Sequence, residues 1–167
     1  DWDEGTYDSL EIDSKLTLAT AYSPCDGINE YGFAVATLTD AAATYPEQND
    51  KITLFDMTLP RLLLSKARSV EEAINYTEKY NFFYDVAPLH YLVADASGQA
   101  AVIEFVDGKM VVTKREKKYL VVTNFTLYGN PTKTGFGKDR YENIQNTLER
   151  QGGVISEEDA LELLKRN

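Results

Sequence analysis

Few side chains in this sequence have types and spacings suited to chemistry. Thr123-Asn124 closes an apolar run, and an asparagine amide there is a neutral donor that can face a developing oxyanion without a charge penalty. The plainer alternative is an asparagine that only ends a strand. Arg140 lies near the start of a helical pattern, where a cation gains nothing from the helix dipole. That placement fits either a held arginine or a solvated one. Asn29-Glu30-Tyr31-Gly32 reads first as a turn. Cys25 sits between Pro24 and Asp26-Gly27 with no basic partner to lower its pKa, which describes an inert thiol. His90 falls inside an apolar run and reads as a satisfied strand histidine, poorly placed for a serine triad. A single cysteine and a single histidine leave no internal disulfide, no cysteine-based metal site and no histidine cluster. No metal or cofactor is therefore expected.

The elements that must position these residues follow from periodicity. Residues 85–124 hold four short apolar runs: His90–Ala94, Ala101–Phe105, Met110–Thr113 and Tyr119–Val122. Asp95–Gly98 and Asp107-Gly108 separate the first three, and Asp-Gly is a strong hairpin signal. The stretch predicts a four-stranded antiparallel meander with Asn124 at the end of its last strand. Upstream, Leu16–Tyr22 and Phe33–Thr39 predict two more strands, with a tight corner around Ile28. Helical spacing predicts helices over 56–66 and 69–80, the second opened by the capping box Ser69-Val70-Glu71-Glu72. Two further helices are predicted over 138–150 and 156–166, separated by Gly152-Gly153. Segregated runs of strands and helices favour α+β layers over a doubly wound parallel sheet.

Composition narrows the partners. The chain of 167 residues is long enough for one domain with a real core. Its formal net charge of −10 disfavours nucleic acid and an anionic membrane surface. No apolar run approaches the ~20 residues that span a bilayer. The lack of a visible leader and the single cysteine lean toward a cytoplasmic protein.

Asp26-Gly27-Ile28-Asn29-Glu30-Tyr31-Gly32-Phe33-Ala34-Val35 resembles the DG-x-NE-x-GLAV segment of the choloylglycine hydrolase and penicillin V acylase group. These are linear-amide C–N hydrolases of the N-terminal-nucleophile superfamily. Ala87–Gly98, the following Ala101–Phe105 run, Val122-Thr123-Asn124 and Gly137–Tyr141 are similar to further segments of that family, in the same order. The resemblance implies an αββα four-layer sandwich, two antiparallel sheets with helices outside, formed in part by a single domain over 1–167. It implies Asn124 as the oxyanion and substrate-orienting asparagine and Arg140 as the arginine that supports the nucleophile. Asp1, in a terminal Asp1-Trp2 match, would touch the nucleophile's amine. Asn29 and Thr39 would border the substrate, Thr39 falling where the bile-salt branch has a second polar oxyanion residue. The family's nucleophile is an N-terminal cysteine, which this chain lacks, and the closing strands are missing too. The resemblance therefore implies hydrolysis of a small-molecule amide, N-acylated or bile-salt-like, with the cysteine supplied by a longer protein, a homo-oligomer or a companion fragment. A non-catalytic α+β binding or sensory module is the alternative.

Overall fold

The computed structural model describes residues 22–130 and 135–166. Seven strands lie among them: β1 (Asp26–Ile28), β2 (Ala34–Thr39), β3 (Thr53–Phe55), β4 (Asn81–Phe83), β5 (Leu89–Ala94), β6 (Ala100–Val106) and β7 (Lys109–Lys114). The centre is a five-stranded antiparallel sheet in the order β1-β2-β5-β6-β7. The other two strands, β3 and β4, form a parallel pair. Between these two run a 3₁₀ turn (Asp56–Thr58), α1 (Leu59–Lys66) and α2 (Val70–Thr77); α3 (Lys138–Arg150) and α4 (Glu157–Lys165) close the chain.

Turn chemistry sets the registers. Asp107 and Gly108 take positive φ of 51° and 70°, the two left-handed positions of a type I′ turn, and Val106 pairs with Lys109 across them. Asp95 organises the β5–β6 turn: its N–H donates to Gln99 C=O, and its carboxylate accepts from the Ser97 N–H and hydroxyl. The same carboxylate reaches across to accept from Val70 N–H at 2.9 Å, beside the Ser69 cap of α2. Burial acts on the Asp95 carboxyl first and pushes its pKa up. The hydrogen bonds from Ser97, Val70 and Gln99 together outweigh it, and the net shift is downward.

The two faces of the sheet differ. Odd-numbered residues of β5 and β6, among them Tyr91, Val93, Ile103 and Phe105, join Leu59, Leu63, Ala67, Val70 and Ala73 of the α1–α2 layer in the main core. Even-numbered residues point the other way. There Val102 packs with Phe125 and Leu127, with Leu92, Leu120, Val122 and Tyr141 around them.

Three of the four meander strands form where their apolar runs and turns put them. The fourth run does not: residues 119–127 join no ladder, although Val121, Thr123, Phe125 and Leu127 are all buried. Alternate burial reports one covered face and is blind to whether a neighbouring strand supplies hydrogen bonds. This segment crosses the even face of the sheet instead of extending its edge, so Asn124 ends no strand. Asp26-Gly27, read as turn residues, belong to β1, and the hairpin turn lies at Asn29–Gly32. The expected α+β architecture, antiparallel strands flanked by helices and formed only in part, holds: the described residues form one antiparallel sheet, with the small parallel β3–β4 pair beside it. Helices α3 and α4 fall where periodicity puts them, but neither buries any residue completely, and of the two only α3 reaches the even-face cluster, through Tyr141. The strand expected over 16–22 lies, except for Tyr22, outside the described residues. No helix among the described residues is long and apolar enough to cross a membrane.

Candidate active site

Asn124 sits in the irregular segment with both ends of its amide engaged. Its Oδ1 accepts from Arg140 Nη2 at 2.7 Å, and its Nδ2 donates to Thr39 C=O at 3.1 Å. Three residues expected at one site from far-apart positions in the chain therefore form one hydrogen-bonded chain, Thr39–Asn124–Arg140. The amide has a second N–H, for which no acceptor appears among the described residues. Asn124 and Arg140 are half-buried and Thr39 is exposed, so the cluster opens to solvent.

Arg140 reaches Asn124 because of what precedes it. Gly137, at the N-cap of α3, has φ 79°, and a Cβ there would lie 3.0 Å from Arg140 Cζ and overlap its guanidinium. The glycine thus lets the guanidinium fold back over the helix start. Gly137 C=O also accepts from Thr123 Oγ1 at 3.1 Å, which ties the helix start to the residue before Asn124. The Phe136 ring, 5.6 Å from Arg140 Cζ, offers its face to the cation. A cation in the first turn of a helix opposes the dipole; the Asn124 oxygen and the ring offset that cost. Tyr141 lies edge-on to Phe125, 5.4 Å between ring centres, and burial raises its phenol pKa.

Directly beneath lies a buried polar cluster. Asp40 follows β2, His90 lies in β5 and Glu104 in β6; none is more than 1 % exposed. His90 Nε2 donates to Thr123 C=O at 2.8 Å. Its Nδ1 faces Glu104 Oε1 at 3.6 Å and Asp40 Oδ2 at 4.0 Å and makes no hydrogen bond. All four carboxylate oxygens accept hydrogen bonds: Asp40 from Ala42 N–H and the Thr126 hydroxyl, Glu104 from Leu127 N–H, Tyr128 N–H and Thr113 Oγ1. These three are the residues among those described that could group around a cation. Their carboxylates are already bound to the 126–128 segment and its neighbours.

The remaining expectations fall elsewhere. Asn29 is not brought to Asn124. Its Nδ2 donates to Leu64 and Ala67 carbonyls and its Oδ1 accepts from Tyr31 and Phe33 N–H, so it braces the β1–β2 hairpin against α1. Phe33 and Thr39 are six residues apart, roughly 20 Å of extended chain. Asp1 lies outside the described residues. Cys25 is exposed at the start of β1, and its carbonyl accepts from Thr37. Reading the sequence missed Asp40 and Glu104 and took His90 for a fully satisfied residue. The available signal was a lone glutamate inside the apolar run of β6.

An asparagine and an arginine from distant parts of the chain thus meet beside an antiparallel sheet. The chain belongs to the linear amide C–N hydrolases of the choloylglycine hydrolase family, whose model matches residues 16–151. It is 32% identical over 137 residues to a penicillin V acylase of Pectobacterium atrosepticum, covering 70% of this chain and 36% of that protein. The penicillin V acylase structure from Agrobacterium tumefaciens superposes with a TM-score of 0.65 at 25% identity, over 87% of this chain and 51% of that one. A cysteine-to-alanine mutant of the conjugated bile acid hydrolase from Clostridium perfringens gives 0.61 at 17% identity, over 86% and 58%. The chain thus spans between about a third and three-fifths of the length of these relatives.

Proposed function

We propose that the whole protein to which this chain belongs hydrolyses an N-acyl amide, and that Asn124 is its oxyanion donor. The observation that carries this reading is the clamped amide. Arg140 on Oδ1 and Thr39 C=O on one N–H leave the other N–H with no acceptor among the described residues. A donor fixed before the substrate arrives costs no reorganisation when charge develops on the carbonyl oxygen. The nucleophile comes from the rest of the protein, as the family resemblance implies: an N-terminal cysteine whose α-amine takes the thiol proton. Its sulfur bonds to the amide carbon and the carbonyl oxygen becomes an oxyanion on Asn124; the tetrahedral species then collapses to a thioester as the C–N bond breaks and the α-ammonium passes its proton to the leaving amine. Water then cleaves the thioester. Arg140 acts through Asn124: its hold on Oδ1 fixes the amide plane so that the remaining N–H can meet the oxyanion.

The substrate class comes from the relatives, which act on penicillin V and on conjugated bile acids. The higher identity to the acylases favours a penicillin V-like acyl amide. The test is amine release by the full-length protein from penicillin V and from a conjugated bile acid, measured separately. The reading expects turnover of one of them and its loss in Asn124→Ala. A folded full-length protein that binds such amides without releasing amine would instead be the non-catalytic module.

A further inference from the structure

We propose that His90, held between Asp40 and Glu104, is the positioning residue that sets the direction of the Asn124 side chain. The inference rests on the reading of Asn124 above for its effect on catalysis, but not for its geometry. Among the described residues, 119–127 join no ladder, so no described strand fixes their backbone. The anchors are polar and bracket Asn124. On one side His90 Nε2–H holds Thr123 C=O; on the other, Asp40 holds the Thr126 hydroxyl at 2.6 Å, and Glu104 holds the N–H groups of Leu127 and Tyr128. The carbonyl of Thr123 and the Cα of Asn124 belong to one planar peptide unit. A hydrogen bond that fixes that carbonyl therefore fixes the plane from which the Asn124 side chain departs. Asp40 acts on the same corner from the other strand, because Thr39, its neighbour, supplies the carbonyl that Asn124 Nδ2 meets.

The ring itself is set by what it faces. A carbonyl only accepts, so the proton at that contact is on Nε2. Nδ1 faces two carboxylates, each of which also accepts hydrogen bonds from the segment being held. The groups around the ring come from every element that packs on it: Asp40 after β2, Glu104 in β6, and Thr123 above. Nothing in the proposed amide hydrolysis consumes this buried cluster, which is why a positioning role is its use.

The chain contains one histidine, so its imidazole nitrogens give a single assignable set of NMR signals. Two variants separate position from packing: His90→Leu keeps bulk without a donor, and His90→Gln keeps a donor near the place of Nε2. In labelled chain, the proposal expects a slowly exchanging Nε2–H. In His90→Leu the Asn124 side-chain amide should lose its distinct shifts and exchange about tenfold faster, while His90→Gln retains both. In the full-length protein, His90→Leu should lower kcat by about 10–10²-fold with KM little changed, and His90→Gln should restore most of it. Should His90→Leu fail to fold, Thr126→Val removes the Asp40 anchor alone and should loosen the same amide. An Asn124 amide unchanged in His90→Leu or Thr126→Val overturns the proposal, as does equal loss in the Gln and Leu variants. A loosened amide with unchanged kcat would uphold the positioning role and remove Asn124 from the chemistry.

Discussion

The two faces of the central sheet are built on opposite plans. The odd face is mainly apolar: Tyr91, Val93, Ile103 and Phe105 meet the α1–α2 layer, and the Tyr91 hydroxyl at its edge donates to Asp56 C=O. Beside it, burial raises the Asp56 carboxyl above its ordinary value, against the Tyr45 hydroxyl bond that lowers it. The even face carries two carboxylates and a histidine and is covered by a segment without a ladder. A dry apolar face tolerates small shifts of its neighbours, because dispersion and burial have no preferred direction. A buried charged cluster does not, since each group left unpaired is costly. The first face supplies stability and the second supplies direction, and the proposed oxyanion donor lies on the second.

Substitutions should separate the two. The largest effect on activity is expected from Asn124→Ala in the full-length protein, a fall in kcat of about 10²–10³-fold. Ile103→Ala, on the odd face, should cost about 2–5 kcal/mol of stability and leave kcat per folded molecule near that of wild type. Urea unfolding and steady-state kinetics on the same samples check both. Glu104→Ala, one residue along but on the even face, should cost about 3–5 kcal/mol, because it orphans two N–H groups and removes a carboxylate facing His90. Unlike Ile103→Ala, it should also lower kcat, measured at a temperature where both variants are folded.

Gly137→Ala is expected to act next most strongly. It adds a Cβ under the Arg140 guanidinium at a φ of 79°, so the guanidinium must move off Asn124. Strain of about 1–2 kcal/mol should accompany a kcat loss of about tenfold. The smallest effect should come from the β5–β6 turn. Asp95→Ala removes a cap from α2 and should cost about 1 kcal/mol at pH 6. The folded-state pKa of Asp95 lies below its ordinary 3.8, so its contribution is complete above that pH and fades as the pH drops below it. The stability gap between wild type and Asp95→Ala in urea should therefore shrink between pH 6 and pH 3.

The odd face was legible in the sequence and the even face only in part. Short apolar and β-branched runs bounded by turn residues located β2, β5, β6 and β7, Asp107-Gly108 located their last hairpin, and helical spacing and capping residues located the helices to within a few residues. Tyr119–Val122 is a run of the same kind and still joins no ladder among the described residues, since a pattern of side chains carries no information about backbone partners. The approach of Asn124 to Arg140 was an expectation of the family resemblance, because spacing alone left both as ordinary surface residues. Asn29 shared the most distinctive matched segment and proved to brace a hairpin. Asp40 was hidden at the edge of a loop; only the tertiary fold brings it to His90 and Glu104.

The central claim is that Arg140 acts through Asn124 rather than beside it. A double-mutant cycle on kcat in the full-length protein, with Asn124→Ala, Arg140→Ala and the pair, tests it most directly. The account predicts strong non-additivity, with the double variant falling little below Asn124→Ala and a coupling energy above about 1 kcal/mol. Losses that simply multiply would show two independent groups and contradict it.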